Sequence, residues 1–129
     1  MLEEAKMFAL IHKGVTGDPT LITPAQALYS ITRAGALAQG RPDCGLIKKG
    51  FKADLVVIDI DHIYMRPMHN LLNNLIYSSC GDDVLLTMVD GRVLYEEGQF
   101  PDMDLPQLLA RGDASCQRII NAMREKGTL

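Results

Sequence analysis

Apolar residues recur every three or four positions over residues 2–13. Leu2, Ala5, Phe8, Ala9 and Ile11 share one face there, which predicts a helix. Glu3 and Glu4 suit the positive end of its dipole, and Lys13 before Gly14 suits the other, so the helix is expected to stop at Gly14. A turn, "GVTGDP", follows. Thr23, Pro24 and Gln26 then read as a capping box with proline at the first helical position. They open a second helix whose buried face is Ala27, Leu28, Ile31 and Ala34. Its small-residue end, "AGALAQG", predicts a tight corner where backbones approach closely.

The period changes at residue 45. "ADLVVIDI" is a continuous, largely β-branched run and predicts a strand over 53–60 covered on both faces. "VLLTMVDGRVLYEEG" predicts two strands, 84–89 and 92–96, joined by Asp90-Gly91, a dipeptide that tolerates the positive φ of a two-residue hairpin turn. Between them "HNLLNNLIYSSCGDD" predicts a short helix and a loop. From Asp104, a cap with Gln107 at N3, apolar positions at Leu108, Ala110, Cys116, Ile119, Ile120 and Met123 predict a last helix. Gly112 is expected to divide it and Gly127 to stop it. The whole is an α+β arrangement with three strands, whose two outer edges invite a further chain.

Composition narrows the function classes. A chain of 129 residues suits one domain. Thirteen Lys and Arg against 16 Asp and Glu give a net charge of −3, with no basic stripe and no interleaved aromatics, so nucleic acid is not an expected partner. No apolar run approaches the length of a membrane span, and the acidic start "MLEE" is unlike a secretory leader. Three scattered cysteines, Cys44, Cys80 and Cys116, fit reduced thiols and a cytoplasmic location.

Candidate chemistry is sparse. His12, His62 and His69 form neither an H-x-H strand pair nor an H-x-x-x-H helix pair. Asp59 and Asp61, alternating along the expected strand, point to one face and with His62 make a candidate divalent-metal cluster; alternatively these acids end a strand and face water. "YSSCGDD" gathers Ser78, Ser79, Cys80, Asp82 and Asp83, with His69 the nearest imidazole in sequence, but lacks a G-x-S-x-G elbow. "GLIKKG" lacks the spacing of a phosphate loop. The residues therefore declare no catalytic group and no cofactor site.

"TPAQALYSITRAGALAQG" followed by "GLIKKGFKADLVVIDID" resembles the C-terminal portion of the amidohydrolase superfamily. "LEEAKMFALIHKGVTGDPTLITPAQAL" and "MHNLLNNLIYSSCGDDVLLTMVDGRVL" resemble its branch of triazine chlorohydrolases and methylthioadenosine/S-adenosylhomocysteine deaminases. That resemblance runs from residue 1 to about residue 100. It implies the final helices of a (β/α)₈ barrel at 1–44, return strands and hairpin of a companion β-sandwich at 45–100, and a C-terminal helix at 101–129. It also implies a zinc or iron ion in the longer enzyme, activating water that expels ammonia or chloride from a ring carbon. The ligands of that metal are expected before Met1, leaving this chain inactive alone. One departure is His69-Asn70-Leu71, where the branch often has His-Asn-Pro. The expected partners are the missing N-terminal barrel or a second copy meeting the exposed strand edges. The alternative is a non-catalytic module or split subunit that completes a barrel supplied by another chain.

Overall fold

The computed structural model describes residues 1–127. The chain forms two compact units, one spanning Met1–Gly98 and one beginning at Gln99.

In the first unit, α1 (Leu2–Thr16) continues past the expected stop. Gly17 rather than Gly14 ends it, with φ 70° and its N–H donating to the Lys13 carbonyl at 2.9 Å. Gly14 stays in the helix, and Val15 and Thr16 after it are helical too, the Thr16 hydroxyl donating to the His12 carbonyl at 2.8 Å. Its buried side is narrow. Ala5 and Ala9 are fully buried and Phe8 packs on them, whereas Ile11 is turned outward.

Helix α2 (Pro24–Tyr29) starts as the sequence predicts. The Thr23 hydroxyl accepts from Gln26 N–H, and Gln26 Oε1 accepts from Thr23 N–H at 2.8 Å. Thr23→Ala removes half of this box and is expected to cost about 1 kcal/mol, read from the urea midpoint with an unchanged slope. A wide π turn, Ser30–Ala34, precedes the expected corner, whose residues first run on as the short α3 (Gly35–Ala38) before the chain turns at Gly40, φ 70°. Ser30 and Thr32 hydroxyls donate back to the Ala27 and Leu28 carbonyls, both at 2.7 Å, the kind of back-bonding that loosens helical backbone bonds.

Strand β1 (Leu55–Ile58) pairs antiparallel with β2 (Val84–Val89), which pairs antiparallel with β3 (Arg92–Glu96), so β2 is central. Asp90 (φ 51°) and Gly91 (φ 82°) make the hairpin turn as expected. β1 is shorter than the 53–60 reading, and Val56 and Val57 are about half exposed. Among the described residues the expected double cover of β1 is therefore not found. Helix α4 (Leu71–Tyr77), capped by the Asn70 side chain, brings Ile76 against Ala5, Ala9 and Ala27. Alanines at this junction let three helices approach closely, and Lys13 closes it by donating to the Tyr77 hydroxyl at 2.6 Å.

The second unit holds α5 (Leu105–Glu125), capped by Asp104 accepting from Gln107 N–H. It runs unbroken through Gly112, since one glycine in a 21-residue helix costs about 1 kcal/mol, too little to divide it. No described helix is long and apolar enough to cross a membrane.

Candidate functional site

The acidic end of β1 does not continue as a strand. Beyond Ile58 the backbone leaves the sheet, with Asp59 N–H donating to the Asp83 carbonyl at 2.7 Å. Asp59 and Asp61 therefore do not alternate along a strand. Asp59 Oδ1 accepts from Asp61 N–H at 2.9 Å, a local turn, while the Asp61 carboxylate faces away to an ion pair with Arg66. His62 does meet Asp59, with Nε2 at 3.5 Å from Oδ2. The same nitrogen lies 3.5 Å from Asp83 Oδ1.

Asp83 is the centre of this cluster. It is wholly buried, at the end of a 3₁₀ turn, Gly81–Asp83. The Tyr64 hydroxyl donates to Oδ1 and Cys80 N–H donates to Oδ2 at 2.9 Å. Tyr64 sits in a second 3₁₀ turn, Ile63–Met65, and its ring stacks on His62 with centroids 5.1 Å apart. Burial pushes the Asp83 carboxyl up, but the Tyr64 and Cys80 hydrogen bonds with the nearby His62 outweigh it and hold it below the usual carboxylate range. The same contact drives the Tyr64 hydroxyl well above its ordinary value. Such a hydroxyl stays protonated at any physiological pH and is a fixed donor, not a base.

The other sequence candidates are occupied in ways that leave little chemistry. The Ser79 hydroxyl is buried and donates to the Leu75 carbonyl. Asp82 and His69 are exposed, and His12 Nδ1 donates to the Phe8 carbonyl at 2.8 Å on α1. Ser78 only ends α4. Tyr64 was not a sequence candidate, and no local signal marks it: its partner lies 19 residues away. Among the described residues no group of three His, Cys, Asp or Glu is placed to hold a metal ion. The cluster is a clamp that fastens residues 59–66 to the start of β2.

The site is thus a tyrosine–carboxylate–imidazole clamp around the buried Asp83, at the start of the central strand of an antiparallel sheet. The amidohydrolase family matches residues 1–94, and the chain belongs to that family. It is 36% identical over 121 residues to a 5-methylthioadenosine/S-adenosylhomocysteine deaminase of Pelotomaculum thermopropionicum, covering 94% of this chain and 28% of the deaminase. An adenosine deaminase from Xanthomonas campestris with bound zinc superposes with a TM-score of 0.89 at 31% identity, over 94% of this chain and 28% of that one. Atrazine chlorohydrolase from Arthrobacter aurescens, also with zinc, gives 0.78 at 28% identity, over 88% and 26%. The chain thus spans little more than a quarter of the length of these relatives. The zinc those structures hold does not fit the groups present here, since Asp59, His62 and Asp83 are committed to one another and Asp61 to Arg66.

Proposed function

We propose that this chain is the C-terminal portion of a hydrolase that removes an amino or chloro substituent from a nitrogen heterocycle, with a deaminase of an adenosine-type nucleoside as the first substrate class to test. The match over 94% of the chain to a zinc-bound adenosine deaminase carries this reading. In it, 1–44 furnishes the last helices of a (β/α)₈ barrel, 45–100 the return strands of a companion sandwich, and 101–129 a closing helix. The metal, zinc or iron, and the groups that hold it belong to the remaining three quarters of such an enzyme. The role left to this chain is to support that barrel through its helical layer and sheet.

The test is metal content and ammonia release. The 129-residue chain alone, given zinc and 5′-methylthioadenosine, is expected to retain less than a tenth of an equivalent of zinc after dialysis and to release no ammonia above the blank. Stoichiometric zinc with turnover would sink the proposal.

A further inference from the structure

We propose that Asp90-Gly91 is a latent isoaspartate site, kept closed by the three residues that lead into β1. An aspartate followed by glycine favours this change, because no side chain hinders the glycine nitrogen from reaching the carboxyl group before it. Asp90-Gly91 is the one Asp-Gly pair in the chain, and no Asn-Gly pair occurs. In the first step the Gly91 nitrogen attacks the Asp90 carboxyl carbon and forms the C–N bond of a five-membered succinimide. The nitrogen's proton and the carboxyl hydroxyl leave as water. A second water then opens the ring. Opening at the former backbone carbonyl leaves the main chain running through the side-chain carbons, one methylene longer. Water is the only co-reactant, and nothing is oxidised or reduced.

Residues 52–54 engage every group that this step must move. Leu55 faces Met88 in the β1–β2 register, so the same register carried two places further brings Ala53 opposite Asp90. The Gly91 N–H donates to the Ala53 carbonyl at 3.1 Å, which occupies the attacking nitrogen. Lys52 Nζ donates to Asp90 Oδ2 at 2.9 Å and restrains the rotation that would carry the carboxyl carbon to that nitrogen. The Asp90 N–H donates to Asp54 Oδ1 at 2.8 Å and fixes the backbone on the other side.

The hold is itself anchored. Arg41, beyond α3, donates to Asp54 Oδ2 at 2.8 Å. The bond from Asp90 N–H, against the effect of burial and with help from Cys44 and Arg41, keeps the Asp54 carboxyl below the usual carboxylate range. All of these partners lie within the compact unit Met1–Gly98, so the restraint depends on no surface that a longer chain would cover. The consequence of losing it is large for the sheet. A two-residue hairpin turn fixes the register of its strands, and an added methylene there shifts β3 against β2.

The experiment is peptide mapping of the 129-residue chain held at neutral pH and body temperature, with isoaspartate counted by methyltransferase labelling of the digest. The folded chain is expected to isomerise at least tenfold more slowly than a free peptide spanning Leu86–Tyr95. Lys52→Ala with Asp54→Ala is expected to speed the folded chain at least fivefold. Lys52→Arg with Asp54→Asn keeps a donor and an acceptor in place and is expected to change the rate less than twofold. Thr23→Ala weakens the helical layer without touching residues 52–54, and it too is expected to stay within twofold, because local release rather than global unfolding opens the turn. Circular dichroism of each variant checks that it is folded. A folded chain as fast as the peptide, or an alanine pair no faster than the conservative pair or Thr23→Ala, overturns the proposal. The outcome does not depend on the hydrolase reading, because neither metal nor substrate enters it.

Discussion

Gly45→Ala is expected to destabilise the first unit by about 3 kcal/mol, combining backbone strain with overpacking against atoms that cannot yield. Gly45 has φ 78°, a conformation that side-chain-bearing residues rarely adopt. A Cβ there would stand 2.8 Å from both the Arg33 Cα and the Thr32 carbonyl oxygen, which are backbone atoms of the π turn. The loop is pulled to that distance by Arg33, whose Nη1 donates to the Pro42 and Cys44 carbonyls at 2.8 and 2.7 Å while its guanidinium lies over the Phe51 ring. Urea unfolding followed by circular dichroism reads the change. Gly50→Ala serves as the comparison, because it shares the positive φ but meets nothing within 4 Å. It is expected to lose about 1 kcal/mol. Equal losses at the two positions would show that close approach contributes nothing at Gly45.

Asp83→Ala is expected to cost a similar amount, about 3 kcal/mol, by stranding the Tyr64 hydroxyl and Cys80 N–H that now share a buried carboxylate. The acid dependence has a definite sign. The folded state holds Asp83 below its unfolded value, so its contribution is present above about pH 4 and is lost as pH falls through the lower, folded value. Stability of the parent chain is therefore expected to fall more steeply below pH 4 than that of Asp83→Asn, which has no proton to gain. Superimposable acid limbs for the two proteins would remove Asp83 from the account. Tyr64→Phe separates the two donors, leaving Cys80 N–H in place and losing about half the effect.

Local signals in the sequence specified the elements they govern. Thr23 with Gln26, Asp104 with Gln107, and Asp90-Gly91 each involve residues within one turn, and each forms as its chemistry requires. Helix ends and strand ends were less legible, since they depend on what lies alongside. Gly14 resembles a stop, yet α1 runs to Thr16, and β1 releases its acids at Asp59 because Asp83 takes that backbone N–H. The clamp itself was half visible. Asp59, His62 and Asp83 were on the page as ionisable residues, but only the fold unites them around Tyr64, and it turns Asp61 aside to Arg66. The family could be read because motif spacing survives in a chain that spans little more than a quarter of its relatives.

The wide turn at Ser30–Ala34 has a bearing on how this chain tolerates changes in length. A π turn holds one residue more than the α-helical register needs, so it joins two helical segments whose phases differ by about 100°. Removing one residue there should restore ordinary helix without breaking it, yet rotate Gly35–Ala38 and the loop that Arg33 fastens. Between Tyr29 and Gly35 a deletion is thus locally silent and remotely costly, and alignments that place a gap there will misjudge which neighbours moved.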